Sequence, residues 1–455
     1  MDAHIQLILA LVVGLVTLVL LITKTKVHVF LAMILCSVFI GLAGGMAVDD
    51  VMNSVTSGFG SALSSIGIII GFGVMLGKLL EMTGATRIMA DTFIRLFGKN
   101  HESEALAVSG FVTSLSIFCT SGFVILSPLM KALSKRSRKS IVTLAIALAA
   151  GLVASHSLVP PAAGPIGVAG ILDVNIGQFM LYGFILSIPV ILTALIYGKW
   201  LGHRIYQVPV GEDGWSRDRS LENVSDDSVD LDEIGDDRPK LPAFLCFAPI
   251  LCAVVLILLK TILEMCGITN PVISLLGQPV FALALGLLIA IYGLTRSFDR
   301  KQTLNAMEDG LKASGKLMLL VGAGGSLGMI IRTSGLGDFI AQSIVQTAIP
   351  PILLPFLIAL LLRIAQGSGS VAMMTAASIV APMVQTLSLN PALVALAACV
   401  GAIPFSHFND SYFWIINETI GIDEAPEQMR VWTITTTLCG FVALAVLLVM
   451  NAFIG

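Results

Sequence analysis

Residues 70–90 read IGFGVMLGKLLEMTGATRIMA, and residues 321–341 read VGAGGSLGMIIRTSGLGDFIA. At an offset of 251, six positions of the first segment carry the same residue in the second. Agreement at a constant spacing predicts that the chain contains a duplicated unit. The matching residues are Gly71, Gly73, Leu76, Gly77, Gly84 and Ala90, with Gly322, Gly324, Leu327, Gly328, Gly335 and Ala341 as their partners.

Two shorter matches follow in the same order along the chain. Ser121-Gly122 matches Ser368-Gly369 at an offset of 247, and Ser155-His156 matches Ser406-His407 at an offset of 251. Three matches in one order indicate two copies, which an acidic segment separates. We therefore predict a first transmembrane repeat over 1–206, a linker over 207–240 and a second, inverted transmembrane repeat over 241–455.

Composition places both copies in a lipid bilayer. Of the 455 residues, 56% are apolar and 12% are charged, whereas charged residues make up about 25% of a soluble domain. The net charge of −3 gives no basic footprint for nucleic acid. The seven cysteines are scattered and form no CxxC motif, so we expect neither disulfides nor a metal site.

Apolar runs predict ten membrane spans and two interrupted stretches. The stretches 104–130 and 350–386 are broken at the centre by Thr120-Ser121-Gly122 and Gly367-Ser368-Gly369-Ser370. Each half is too short to cross the bilayer comfortably, which predicts re-entrant hairpins. The spans lie near 5–23, 27–45, 62–82, 141–158, 178–200, 243–265, 275–295, 315–333, 391–420 (interrupted) and 430–453.

Five spans in each copy is an odd number, so the second copy must be inserted upside down. The predicted fold is an all-α polytopic membrane protein with two inverted repeats of five spans, each with one re-entrant hairpin and one broken helix. Inverted repeats with discontinuous helices are typical of secondary transporters, whose substrate site lies near the midplane. A channel is the alternative that this architecture leaves open.

Basic residues predict the orientation in the membrane. Twelve lysines and arginines fall on one side if 104–130 enters and leaves on that side, whereas the opposite loops carry Asp49, Asp50 and Asp173. The basic side, with the linker, is therefore cytoplasmic, and both termini are outside. The linker holds eleven acidic and four basic residues, which favours a flexible tether over a regulatory docking segment. The twelve residues are Lys24, Lys26, Arg87, Arg95, Lys99, Lys131, Lys135, Arg136, Arg138, Lys139, Lys199 and Arg204.

The two hairpin tips and the two interrupted helices are expected to converge on the candidate substrate site. Hydroxyls and freed amides at a tip can bind a carboxylate, and the alternative is that small residues only allow close helix packing. The guanidinium of Arg363 suits an anionic substrate, and the alternative is a pair with a buried acid such as Asp410. The predicted substrate-binding residues are Thr120, Ser121, Gly122, Arg363, Gly367, Ser368, Gly369, Ser370, Asn409 and Ser411.

Asp410 is the leading candidate for ion coupling. It lies in an otherwise apolar segment, where an ionisable group is a functional hypothesis by default. It would take up a proton or ligate a cation, and the alternative is a helix cap. His156 and His407 are further coupling candidates, because histidine as a residue type suits a proton carrier, although a simple hydrogen-bonding role is the alternative for each.

The first interrupted helix is predicted from its prolines. Pro160, Pro161, Gly164 and Pro165 cannot continue a regular helix, so backbone groups are freed there unless the kink is simply packed. The chain lacks the HExxH motif of metallohydrolases, and we predict no enzymatic activity and no cofactor beyond an ion gradient.

At these motifs the sequence resembles the gluconate permease family, within the ion transporter superfamily. The likeness runs through almost the whole chain and is most specific in QGSGSVAMMTAA, from Gln366, and SHFNDSYFWIIN, from Ser406. The resemblance implies a proton-driven symporter in the bacterial inner membrane that imports gluconate, glycerate or a related hydroxy acid or sugar acid. It also implies two re-entrant hairpins and a homodimer.

Two departures from the family pattern affect the predicted site. Thr120 stands where the family carries Glu, and residues 160–165 read PPAAGP where the family has PPHPGP. An acid and a histidine are thus absent, so sodium is the alternative to protons as the coupling ion. A D-amino acid transporter and a transporter-like sensor that signals through the linker are the alternative functions.

Overall fold

The computed structural model describes residues 3–98, 100–210, 214–221, 241–268, 270–335 and 350–454. These ranges are mostly helical, which confirms the all-α prediction. Their exception is an antiparallel pair of short strands, β1 (Val208–Val210) and β2 (Gly214–Ser216), in which Pro209 faces Trp215. Lys99, residues 211–213 and 222–240 of the predicted linker, and residues 336–341 of the second repeat segment lie outside the described residues.

The first half contributes nine helices to the described ranges. They are α1 (Ala3–Lys24), α2 (Val29–Ala43), α3 (Val48–Met82), α4 (Ala85–Phe97), α5 (Glu102–Thr113), α6 (Cys119–Ser137), α7 (Ile141–Leu158), α8 (Ala163–Leu172) and α9 (Ile176–Arg204).

The second half contributes eleven described helices. They are α10 (Ala243–Met265), α11 (Pro271–Leu276), α12 (Pro279–Ile289), α13 (Arg300–Thr333), α14 (Leu353–Gln366), α15 (Gly369–Val380), α16 (Met383–Thr386), α17 (Pro391–Gly401), α18 (Ser411–Thr419), α19 (Ala425–Gln428) and α20 (Ile434–Ile454). A π-helical turn, Met429–Thr433, joins α19 to α20.

Several helices are long and apolar enough to cross a bilayer, as a polytopic membrane protein requires. Within the described ranges they are Ile141–Leu172, counted across the break between α7 and α8, Ile176–Arg204, Ala243–Met265, Arg300–Thr333 and Ala425–Ile454. Helix α3 qualifies as a bent pair, Val48–Ser64 and Gly67–Met82, with an angle of 48° between its parts.

Two spans begin earlier than the hydropathy predicted. Helix α3 starts at Val48 and not near 62, and α13 starts at Arg300 and not near 315. Helix α13 begins with a capping box, in which the Asp299 carboxylate accepts from the backbone of Gln302 and the Gln302 side chain accepts in return. The first turn of α3 carries Asp49 and Asp50, which suit a helix N-terminus. A search for apolar windows misses polar first turns of both kinds.

The two halves meet where α3 packs against α13. The Ser54 and Thr333 hydroxyls lie 3.1 Å apart, and the Ser326 hydroxyl donates to the Val55 carbonyl at 2.7 Å. At the other end of the pair, Gly310 lies against Val74. The two helices therefore run in opposite directions, with backbones close enough that small residues are needed between them.

The chain breaks inside both stretches that were predicted as hairpins. The first break covers Ser114–Phe118, where the Ser114 hydroxyl donates to the Ile117 carbonyl and replaces a helical bond. The predicted tip, Thr120–Gly122, lies instead in the first turn of α6. The second break falls at Gly367, whose φ of 78° is left-handed, and Ser368, which caps α15.

The predicted broken helices are also interrupted in the structure. Helix α7 ends at Leu158 and α8 begins at Ala163, with Pro160 and Pro161 between them. Helix α17 ends at Gly401 and α18 begins at Ser411, with nine residues between them.

Helix α5 packs against α7 so closely that Gly151 has no room for a side chain. A methyl group at Gly151 would clash with the Ala107 backbone carbonyl. We expect Gly151→Ala to lower the free energy of unfolding by about 2 kcal/mol, because overpacking forces the helices apart. Thermal unfolding of the purified protein in detergent measures this.

The matched control is Gly60→Ala in α3, where nothing lies within 4 Å of the added carbon. Alanine is the better helix former, so this variant should be as stable as the wild type or slightly more stable. Equal unfolding temperatures for the two variants would contradict the predicted contact between α5 and α7.

Candidate functional site

A buried ion pair joins the two interruptions of the second half. The Arg363 guanidinium, near the end of α14, lies 2.5 Å from a carboxylate oxygen of Asp410, which directly precedes α18. Their side chains are 8% and 12% exposed. Removing either partner would leave an uncompensated charge in a low-dielectric interior. The pairing that the sequence left as an alternative is thus the arrangement that the structure contains.

Backbone groups of the second break hold Arg363 in place. The same guanidinium donates to the Gly367 carbonyl, which the left-handed turn at Gly367 points back towards α14. The Asn409 side chain donates to the Ile364 carbonyl at 3.0 Å, and the Asn409 backbone lies directly against Gly367. A side chain at Gly367 would clash there, so the two interruptions fit together only with glycine at this position.

Asp410 is fixed from a second direction. One carboxylate oxygen caps α18 by accepting from the Tyr412 backbone at 3.0 Å. The other accepts from the Ser406 hydroxyl as well as from Arg363. The Trp432 indole N–H donates to that hydroxyl at 2.9 Å. Asp410 therefore serves as the helix cap and as the partner of Arg363 at once.

The last span satisfies the interrupted backbone before α18. The Thr433 hydroxyl donates to the Ser406 carbonyl at 2.6 Å, and the Thr436 and Thr437 hydroxyls accept from the Ser406 and Phe405 amides at 3.3 Å. Trp432 and Thr433 belong to the π-helical turn, a device that often occurs at functional sites. Sequence reasoning missed these residues, although a threonine-rich run inside an apolar span was a visible signal.

The first half reaches the same region through α6 and α7. The Phe123 and Tyr412 rings meet edge to face at 5.9 Å, so α6 packs on α18. Asp410 is within electrostatic range of the Cys119 thiol and the His156 ring. His156 lies beside Phe118, with 5.8 Å between ring centres. A cavity of about 20 Å³, room for roughly one water, is lined by His156, Phe118, Ser116 and Pro161.

The other predicted residues lie at different distances from this pair. Thr120 and Ser121 occupy the first turn of α6, where they are half-buried, and Gly122 packs on Leu152. Gly369 lies close to Arg363, with 3.7 Å from an added methyl carbon to the guanidinium, and Ser370 follows it in α15. Ser411 is exposed at the start of α18.

The remaining two groups contact the site less directly. His407 stacks edge-on against Phe408 at 4.7 Å. Gly164 lies against Met373 of α15, which places the proline-rich break beside the second hairpin stretch. Pro165 belongs to the first turn of α8.

Several buried polar atoms at this centre have no hydrogen-bond partner among the residues that the structure describes. They are Arg363 Nε, Tyr412 Oη, Ser116 Oγ and His407 Nδ1. An unsatisfied buried polar atom is costly, so such a group of atoms favours the binding of a polar ligand or water here.

A larger cavity, of about 390 Å³, lies between α3, α8 and α13. Its lining includes Ser61, Asp173, Arg332 and Gln385, and none of the predicted site residues. The volume would hold a small ligand, but the chemistry predicted from the sequence lies elsewhere.

Comparison with known proteins decides the family. A family model described as GntP family permease matches residues 6–453. The chain belongs to the GntP permease family. The resemblance to gluconate permeases is thereby confirmed, and so is the prediction that the protein is not an enzyme, since the family consists of permeases. This GntP permease is a multi-pass membrane transporter.

Three relatives match along nearly the whole GntP permease chain. An uncharacterised permease of Haemophilus influenzae is 40% identical over 95% of this chain and 89% of its own length. A gluconate permease of Pseudomonas aeruginosa is 34% identical, with 99% and 98% covered. The Gnt-II system L-idonate transporter of Escherichia coli is 32% identical, with 96% and 98% covered.

Two solved structures share the fold of this GntP permease. MtrF of Neisseria gonorrhoeae, from a class of antimetabolite efflux pumps, gives a TM-score of 0.67 at 15% identity and covers 96% of this chain and 97% of its own. The YdaH transporter of Alcanivorax borkumensis gives 0.63 at 14% identity, with 88% of each chain covered. At these identities the likeness shows the fold alone.

The ion pair makes a stability prediction that needs no substrate. Arg363→Gln leaves a buried carboxylate without a counter-ion, and we expect a loss of about 3–5 kcal/mol in the free energy of unfolding. Asp410→Asn should also destabilise, since Arg363 is then uncompensated. The double variant should lose markedly less free energy of unfolding than the sum of the two single losses. Thermal unfolding of the three variants in detergent measures this. Additive losses would mean that the two groups do not interact.

Proposed function

We propose that this GntP permease is a proton-coupled symporter that imports a small hydroxy-carboxylate, such as gluconate, glycerate or a related sugar acid. The buried pair of Arg363 and Asp410 at the junction of two helix interruptions is the observation that carries the proposal. A substrate carboxylate and the Asp410 carboxylate would compete for one guanidinium. Protonation of Asp410 releases Arg363, and the substrate then takes its place.

Charge compensation supplies the coupling. The empty carrier holds Arg363 against Asp410, and the fully loaded carrier holds Arg363 against the substrate beside a neutral Asp410. Each of these two states is compensated inside the protein. A carrier with only the proton, or only the anion, would hold an unpaired charge near the midplane, which is expensive. Only the empty carrier and the fully loaded carrier therefore switch between the outward-facing and the inward-facing state.

The polar groups around the pair suit a hydroxylated anion. Hydroxyls or an amide are offered at the helix starts that follow the interruptions, or directly before them, by Thr120, Ser121, Ser368, Ser370, Asn409 and Ser411. Relatives named for gluconate and L-idonate support the same class. A zwitterion such as a D-amino acid would need an acid for its ammonium group, and Asp410 is engaged by Arg363. Sodium remains the alternative coupling ion.

Inverted repeats with re-entrant hairpins are part of the proposal. The helix starts support them, because α5, α6, α7 and α8 begin at residues 102, 119, 141 and 163, and α14, α15, α17 and α18 at 353, 369, 391 and 411. The offsets stay close to 250 throughout. Two contacts between the halves also support a two-fold relation: Gly58 with Gly325, and Val74 with Gly310. At the repeat offset of 251, Gly325 corresponds to Val74, and Gly58 corresponds to the position next to Gly310.

The location follows from the same proposal. The basic loops favour an inner-membrane protein with the linker in the cytoplasm and both termini outside. A homodimer remains a prediction from the family resemblance.

The direct test is uptake of labelled gluconate and glycerate into proteoliposomes. We expect an inward proton gradient of about one pH unit to support up to about tenfold accumulation. For a monovalent anion carried with one proton, a membrane potential set by potassium and valinomycin should not change the rate. Accumulation driven only by sodium would contradict proton coupling, and absence of flux of both solutes would contradict the substrate class.

Asp410→Asn separates coupling from transport. The neutral amide leaves Arg363 compensated only by substrate, so the variant should exchange internal for external substrate and lose gradient-driven accumulation, about tenfold at one pH unit. Asp50→Asn, at an exposed acid in the first turn of α3, is the matched control and should behave as the wild type. Full proton-driven accumulation by Asp410→Asn would remove the coupling role.

A further inference from the structure

The beginning of the predicted linker folds back onto the membrane helices. We call residues 205–210 and 214–219 the strap. The Gln207 carbonyl accepts from the Ile141 amide at 2.8 Å, and the Ser140 hydroxyl donates to the Ile205 carbonyl at 3.0 Å. Gln207 and Val208 are 1% and 0% exposed. The strap is thereby anchored on the first turn of α7.

A second set of contacts reaches the loop after α18. The Gln207 side chain donates to the Ile420 and Gly421 carbonyls at 2.6 and 3.1 Å. Arg217 donates to the Gln207 side chain at 2.9 Å and to both carboxylate oxygens of Glu427 at 3.0 and 2.7 Å. Hydrogen bonding to Glu427 raises the pKa of the Arg217 guanidinium. Two parallel hydrogen bonds between a guanidinium and a carboxylate fix the relative orientation of the two groups, in addition to pairing their charges.

Trp215 is the third anchor of the strap. Its indole lies against Gly421, whose φ of 68° is left-handed, and a methyl group at Gly421 would clash with the ring. The Lys131 ammonium of α6 lies 5.5 Å from the centre of the same ring. The strap therefore contacts α6, α7 and the segment that follows α18.

These anchors matter because of what α6 and α18 carry. Asp410 directly precedes α18, and Ile420 and Gly421 follow its far end after Thr419. The first turn of α6 holds the predicted tip residues, while Lys131 lies twelve residues after Cys119. Phe123 and Tyr412 already join these two helices near the ion pair. The strap joins them again further along, at Lys131 of α6 and beyond the end of α18.

We propose that the strap is a clamp that fixes α6 to α18 and acts as a positioning element for Asp410. Because the strap and the Phe123–Tyr412 contact join the two helices at two places, α6 and α18 move as one unit. Asp410 then keeps its alignment with Arg363. When the Arg217–Glu427 contact opens, α18 can tilt and the carboxylate loses its alignment. The clamp rests on the proposed function for its effect on transport, but not for its effect on α18.

Hydrogen–deuterium exchange of the purified full chain in detergent tests the clamp without substrate. Arg217→Glu should speed the exchange of amides in α18 and in the second half of α6 about tenfold. Arg217→Glu combined with Glu427→Arg should restore slow exchange. Arg219→Gln is the control, because that residue donates to the His203 carbonyl and not to the second half. Faster exchange confined to the strap would overturn the proposal.

Transport gives the second measurement. The ratio of proton-driven uptake to substrate exchange should fall about fivefold in Arg217→Glu, at equal protein in the membrane, and recover in the charge-swapped variant. A strap needed only for folding would lower both rates equally, which would also overturn the positioning role. The wild type could carry no hydroxy acid while Arg217→Glu still speeds hydrogen–deuterium exchange in α18 and the charge-swapped variant restores it. In that case the proposed function fails and the clamp stands.

Discussion

A guanidinium and a carboxylate buried together in a membrane protein constrain everything around them. Neither Arg363 nor Asp410 can be removed from the other at low cost, so the elements that carry them must stay in register. That requirement accounts for the glycine at 367, where the Asn409 backbone passes too close for any side chain. It also accounts for Asp410 as the cap of α18, since one carboxylate satisfies a helix end and a cation together.

The rest of the second half supports this arrangement. An interruption of nine residues between α17 and α18 frees many backbone groups, and a bilayer offers no water to satisfy them. Hydroxyls of the last span take this role, with Thr433, Thr436 and Thr437 bonded to the backbone at Ser406 and Phe405. The π-helical turn sets their direction and brings Trp432 to Ser406. A regular helix would rotate these side chains away from the break.

The sequence predicted the parts of this structure that leave a local signature. Prolines 160 and 161 and the Gly-Ser run from Gly367 mark the breaks, because these residues cannot continue a helix. Family membership was evident from the motifs around Ser368 and Asp410. The starts of α3 and α13 were misplaced, since the polar first turns of these helices do not register as apolar. The bond of Trp432 to Ser406 and the docking of Gln207 on Gly421 join distant segments, and no local pattern predicts such pairs.

The ion pair belongs to only one of the two copies. Asp410 stands directly before α18, and the residue directly before α8 is Ala162, which provides no side-chain cap. Arg363 is the eleventh residue of α14, and the eleventh of α5 is Val112. In the proposed inverted-repeat mechanism the two halves exchange shapes, but only the second carries this buried ion pair, so the two arrangements cannot have equal energies. The unloaded protein should therefore rest facing one side, and its apparent substrate affinity should differ between the two faces of the membrane.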